Sequence, residues 1–160
     1  MILPIVPFGS NVLRKECINI DKSYENLESL IDNMFETMYA ASGVGLAAPQ
    51  INKSLRLFIV DTEPFEDEEN ADHVGIKKVF INPKILLKSG DIWSFNEGCL
   101  SIPDVREDVK RVSEVTLEYY DENFIKNTES FSGLNARVIL HEHDHIDGIL
   151  FIDKITPLRK

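Results

Sequence analysis

Residues 132–148 read SGLNARVILHEHDHIDG. Leu134, Val138, His141 and His145 recur at steps of four, three and four, the spacing of one helical face. Gly148 stands just beyond the last of them, where a glycine ends a helix. The segment predicts a helix whose inward face turns from apolar to imidazole toward its end. His141 and His145 lie about 6 Å apart along the axis, on the same side, and can close on one metal ion. Glu142 fits the acid of an H-E-x-x-H pattern, which moves protons for a metal-activated water without binding the metal. His143, two positions from each, is about 200° round the helix. It is expected to face elsewhere, so that His143→Tyr keeps metal stoichiometry and activity close to the parent. Asp144 is placed to orient a ligand or to pair with an arginine. A polar group turned toward a core without a partner costs ~1–3 kcal/mol, and a metal removes that cost. The plain alternative is an amphipathic helix surface on which the pattern arises by chance.

Two histidines do not complete a catalytic site, which usually takes a third protein ligand and keeps one position open. No histidine follows His145. Asp147 and Asp153 fit no familiar spacing, so the third ligand is expected upstream. FNEGCLSIP (95–103) offers Cys99. As a thiolate it would complete a one-cysteine, two-histidine set, although a lone free cysteine is more often a small core hydrophobe. In GVGLAAPQ (43–50), the glycines allow the backbone close to a substrate. Gln50 could donate its amide N–H to a developing oxyanion. Its plain reading is a surface glutamine in a helix-to-strand loop.

Further out, SYENLESLIDNMFETMYAAS (23–42) carries the apolar stripe Leu27, Leu30, Ile31, Met34, Phe35, Met38, Tyr39. It predicts an N-terminal amphipathic helix with Ser23 as N-cap and Gly43 as stop. SLRLFIVDT (54–62) reads as a strand, KKVFINPKILLKS (77–89) as two short strands hinged near Pro83, and RVSEVTLEYYDE (111–122) as a half-buried strand. Strands followed by a helix, without βαβ alternation, argue for an α+β fold with antiparallel pairing. The 160 residues suit one domain. The net charge of −10 opposes direct binding to nucleic acid or to an anionic membrane. DTEPFEDEENAD (61–72) reads as a solvated acidic loop without EF-hand spacing. No apolar run approaches the ~20 residues of a membrane span, and the N-terminus lacks signal-peptide character. The expected setting is cytoplasmic, with Cys17 and Cys99 as free thiols.

Taken together, the three stretches resemble the signatures of peptide deformylases: G-x-G-L-A-A-x-Q, E-G-C-L-S and H-E-x-D-H, in that order. They stand here as Gly43 to Gln50, Glu97 to Ser101 and His141 to His145. The resemblance runs from the N-terminal region through FIDKITPL (151–158), essentially the whole chain. It implies one catalytic domain over residues 1–160, with antiparallel β-sheets around a central helix that carries the HExxH motif. The implied activity is removal of the formyl group from the N-terminal formylmethionine of newly made polypeptides. By position, Cys99, His141 and His145 resemble the ligands of one divalent ion, Fe2+ in cells and Zn2+ or Ni2+ in preparations. Glu142 resembles the general acid/base; Gln50 and the Leu100 N–H resemble the oxyanion donors. Val44, Gly45 and Gly98 match positions that hold the substrate main chain as an added strand. Leu134 and Val138 match the wall of the methionine pocket, and Arg111 would pair with Glu97 or Asp144 behind the metal.

Two departures stand out. Leu140 replaces a glutamine common in the family, which alters local hydrogen bonding only. The sequence ends at Lys160, without the extra C-terminal helix by which some bacterial members dock on the ribosome. The expected partners are N-formylmethionyl polypeptides, with weak or no stable ribosome binding and a monomeric state. The rival readings are a zincin-type metallopeptidase, resting on HEHDH alone, and a peptide-binding domain with a structural metal, which would need a fourth protein ligand.

Overall fold

A computed structural model describes residues 1–65 and 74–154, with only the backbone at Phe65, Pro103, Asp104 and Lys154. Five strands form one antiparallel sheet in the order β1-β2-β3-β4-β5. They are β1 (Gly45–Ala47), β2 (Leu57–Asp61), β3 (Lys77–Cys99), β4 (Ile102–Tyr120) and β5 (Lys126–Ser132). Helix α1 (Leu27–Ala40) packs on β1 and β2, and helix α2 (Gly133–Ile146) packs on β1, β2, β4 and β5. The α+β reading stands, but the described strands make a single sheet rather than several. Among the described residues no helix is long and apolar enough to cross a membrane.

The sheet has a core on each face. Leu57, Ile59, Val79 and Ile81 meet Met34 and Met38 of α1. Phe58, Phe80 and Leu117 meet Ile139 and Leu140 of α2. β2 is thus covered on both sides, which explains why LFIV is continuously apolar instead of alternating. β4 alternates as expected: Val115, Leu117 and Tyr119 are buried, while Thr116, Glu118 and Tyr120 are partly exposed. The aromatic centre is Phe80, with ring centroids 4.7 Å from Phe58 and 4.5 Å from Tyr119.

Several expectations need correction. α1 begins at Leu27, not near Ser23, whose hydroxyl instead donates to Asp21 Oδ1 (2.9 Å). The turn that ends α1 places Ser42, at φ 59°, in the left-handed position. Ser42 N–H then reaches Tyr39 O (3.0 Å) and Gly43 N–H reaches Met38 O (2.9 Å), a Schellman arrangement with serine where glycine is usual. At the end of α2 the glycine does take that role: Gly148 has φ 76°, and Ile149 N–H reaches Asp144 O (2.8 Å).

Residues 45–47 are a strand paired with β2, not loop. Residues 77–89 are not two strands: β3 runs through Pro83 to Cys99. The pairing skips Asn82 and Pro83, so the missing proline N–H breaks no ladder bond. Asn82, at φ 49°, brackets the backbone of Ile20 with its side-chain amide (2.7 and 2.8 Å). β5 had no counterpart in the sequence reading. The acidic segment 61–72 starts inside the fold: Asp61 is buried at the end of β2 and accepts hydrogen bonds from the Tyr39 hydroxyl and the Glu63 N–H. Residues 66–72 of that segment, and 155–158 of FIDKITPL, lie outside the described residues.

Phe58→Ala should destabilise the protein by about 3–5 kcal/mol, because its ring is fully buried between Phe80 and α2. Chemical denaturation monitored by circular dichroism checks this; a midpoint matching the parent's would mean the site relaxes around the gap.

Candidate active site

The end of α2, the turn between β3 and β4, and β1 with its following 3₁₀ turn (Ala48–Ile51) surround a cleft of about 570 Å³. Cys99 is the last residue of β3. The strand register slips between Gly98 and Cys99, so Cys99 pairs with Ile102 across the two-residue turn Leu100–Ser101. This irregularity turns the thiol toward α2. Its Sγ lies 3.3 Å from His145 Nε2. The ligand atoms of Cys99, His141 and His145 all fall within 4.8 Å of one another. Such separations suit one ion with a thiolate at about 2.3 Å and imidazoles at about 2.0–2.1 Å.

The two rings differ in their electrostatics. Burial opposes charge on either ring. At His141, hydrogen bonds to Cys99 and Glu97 outweigh it and push the ring up to about 10. Burial and the neighbouring His141 charge push His145 well below its usual value. His145 Nδ1 has no hydrogen-bond partner among the described residues.

Glu142 is buried in the same cleft wall, and its Oε1 has no partner among the described residues. Burial pushes its carboxyl up to about 7, against the pull of the His141 charge. An acid in that range can take and return a proton at neutral pH. The β1 backbone passes directly over it: a Cβ at Gly45 would sit 2.6 Å from Glu142 Oε2.

Behind the histidines is a buried ionic network. Arg111 donates through Nε and Nη2 to Glu97 (2.7 and 3.0 Å) and through Nη1 to Asp144 Oδ2 (2.7 Å). Glu97 Oε1 also meets His141 Nδ1 at 2.9 Å, leaving His141 Nε2 as the nitrogen free to serve the cluster. Burial works to raise the Glu97 carboxyl, but hydrogen bonds from His141 and Arg111 hold it at about 2. Arg111 thus pairs with both carboxylates at once.

Gln50 is 1% exposed, which overturns its reading as a surface residue. Its Oε1 accepts the Ala47 N–H (2.9 Å), and its Nε2 donates toward Cys99 Sγ (3.4 Å) and Ser101 Oγ (3.3 Å). Val44, Gly45, Gly98, Leu100, Leu134 and Val138 all line the cleft. Leu140 lies buried in the core between the sheet and α2.

His143 stands apart from the cluster, as its helical angle implies. It is buried, however, with Nδ1 3.2 Å from Asp147 and its ring edge-on to Phe58. The expectation that it tolerates replacement is therefore corrected: a larger tyrosine would overpack that contact. One residue escaped the sequence reading. Arg137, 2% exposed, donates to Glu97 Oε2 (2.6 Å), Val109 O (2.8 Å) and Trp93 O (2.7 Å), and lies over the Trp93 ring at 4.5 Å. It precedes His141 by one helical turn, so its position on the histidine face was the available signal.

A family model described as polypeptide deformylase matches residues 2–160. The chain belongs to the polypeptide deformylase family. It is 61% identical to a peptide deformylase of Flavobacterium psychrophilum over 166 residues, covering 100% of this chain and 86% of that one. It is 46% identical to one of Cytophaga hutchinsonii, covering 100% and 85%. Among solved structures, a class I type b peptide deformylase from Acinetobacter baumannii bound to Met-Ala-Ser superposes with a TM-score of 0.88 at 33% identity, covering 97% of this chain and 99% of that one. A peptide deformylase from Synechococcus elongatus in complex with actinonin gives 0.88 at 38% identity, covering 97% and 81%. Deformylases are metal-dependent hydrolases that remove the N-terminal formyl group from nascent polypeptides, and the zincin alternative gains no support.

In this deformylase, Gly45→Ala should lower turnover by about 10²-fold while metal content and fold are kept, because the new methyl displaces Glu142. Formate release, metal analysis and circular dichroism check it; turnover equal to the parent would mean the carboxylate moves aside freely.

Proposed function

We propose that residues 1–160 act as a single catalytic domain in which Cys99, His141 and His145 hold one divalent ion. The observation that carries this reading is the convergence of those three donors, within 4.8 Å, beside a buried carboxylate at the floor of a peptide-sized cleft. When bound, the ion supplies Lewis-acid polarisation and makes water acidic enough to attack near neutral pH. Glu142 takes that water's proton on its carboxylate and later returns it to the leaving amine. Gln50 Nε2 and the Leu100 N–H steady the oxygen that gains charge as the formyl carbon is attacked. Glu97 holds the His141 ring by its Nδ1, and Arg111 and Asp144 hold Glu97 and the end of α2.

The substrate is an N-formylmethionyl polypeptide. Its main chain lies along Val44, Gly45 and Gly98, adding a strand to the open edge of β1. Its methionine side chain packs on Leu134 and Val138. The Acinetobacter baumannii relative, described with Met-Ala-Ser bound, supports this use of the cleft. In this reading α2 is the HExxH helix and α1 the amphipathic N-terminal helix. The ion is Fe2+ in cells, and Zn2+ or Ni2+ substitutes in preparations. The protein works in the cytoplasm as a monomer. Its net charge of −10 opposes stable attachment to ribosomal RNA.

Two variants separate the roles. Glu142→Ala should keep one metal per chain while formate release from formyl-Met-Ala-Ser falls by about 10²–10⁴-fold. Cys99→Ala should lose the metal. Metal loss in the Glu142 variant, or full metal in the Cys99 variant, would reverse the assignment.

A further inference from the structure

The segment Val6-Pro7-Phe8 belongs to no helix or strand and leads into a turn closed by Ser10 N–H on Pro7 O (3.1 Å), yet it is bonded on two sides of the site. Val6 N–H donates to Gln50 O at 2.7 Å, and Phe8 N–H donates to Ser101 O at 2.7 Å. The two donors are two residues apart and are engaged at the same time, so they can act together. Pro7, between them, has no N–H to leave unpaired and stiffens the segment. Val6 packs against the cluster that includes Ile102, Val109 and Phe151, while Phe8 is 52% exposed. At Phe8, therefore, the backbone is engaged while about half of the residue stays open to solvent.

The two acceptors lie in the turns that carry the proposed oxyanion donors. Gln50 is in the 3₁₀ turn Ala48–Ile51, and Leu100–Ser101 is the turn joining β3 to β4. Turns are softer than the strands they join. These two already touch, through Gln50 Nε2 and Ser101 Oγ at 3.3 Å. A relative shift of the turns would move one donor against the other, and oxyanion stabilisation depends on fixed placement of both.

We propose that Val6–Phe8 is a positioning strap whose two backbone N–H groups hold the Gln50 turn and the Leu100–Ser101 turn in register. The proposal rests on reading Gln50 and Leu100 as the oxyanion donors. The strap's two hydrogen bonds go to the carbonyls of Gln50 and Ser101, not to Cys99, His141 or His145. Its effect should therefore appear in turnover and not in peptide binding or metal affinity.

The test replaces the Phe8 amide with an ester, by incorporating phenyllactic acid at position 8 in the full-length metal-loaded protein. This removes the N–H and keeps the ring. The same exchange at Ile5, whose N–H has no hydrogen bond among the described residues, controls for the ester itself. The Phe8 ester should keep full metal and an unchanged KM for formyl-Met-Ala-Ser while kcat falls about tenfold; the Ile5 ester should match the parent. Gln50→Ala is measured alongside, alone and combined with the Phe8 ester. Coupling between them, seen as a smaller ester effect in the Gln50→Ala background, supports the strap. An unchanged kcat in the Phe8 ester with Gln50→Ala impaired overturns the strap alone. An unimpaired Gln50→Ala overturns the donor reading beneath it. A Phe8 ester that loses metal or raises KM in step with kcat has only a structural role, which also overturns the proposal. If the ester chain does not fold, Phe8→Pro removes the same N–H and is judged by the same criteria.

Discussion

The buried carboxylate of Glu97 joins the two halves of the site. It sits near the end of β3, receives Arg111 from β4 and receives Arg137 and His141 from α2. Through it the long β3–β4 hairpin, which carries Cys99, is locked to the helix that carries both histidines. Buried ion pairs add little net stability, because desolvation offsets much of the attraction, but losing one partner is costly. The value of this network is geometric. It fixes which nitrogen of His141 faces the cluster and how far the hairpin turn stands from α2.

Because three residues share one carboxylate, the positions of Trp93, Val109 and the cleft wall are tied to the same point. Arg137 bridges to the carbonyls of Trp93 and Val109 while holding Glu97. The cleft is consequently a continuation of the ionic core, not a groove laid on the surface. Gly45 completes it from the opposite side, where the sheet comes so close to Glu142 that a methyl group fits only if that side chain moves.

The sequence was most legible where a local rule decides the outcome. The steps of four, three and four located α2 and put His141 and His145 on one side; the continuous LFIV run located β2; Gly148 marked the helix end. It was least legible where tertiary contacts decide. β1 has three small or apolar residues, and only its ladder with β2 makes it a strand. Pro83 looked like a break, and a bulge absorbs it. β5 buries Phe131 but leaves most of its other residues partly or fully exposed, so its pattern is weak. Ser42 took a glycine's conformation because its neighbours satisfy the helix carbonyls. Spacing alone could not choose Cys99, which meets His145 from 46 positions away; the motif resemblance pointed to it, and the hairpin geometry brings it there. Arg137 stayed hidden because a helical arginine is ordinarily read as surface.

The shortness of β1 has a consequence for how the molecules behave in a crowd. A strand at the end of a sheet exposes unpaired N–H and C=O groups, and long exposed edges let identical chains zip into fibres. Here β1, at one end of the sheet, offers three residues, of which Gly45 lines the cleft. That is room for one thin guest strand, and too little for two copies of the sheet to join through it. In the proposed use of the cleft, the edge that would receive a newly made chain is thus also too short to pair two copies of the sheet.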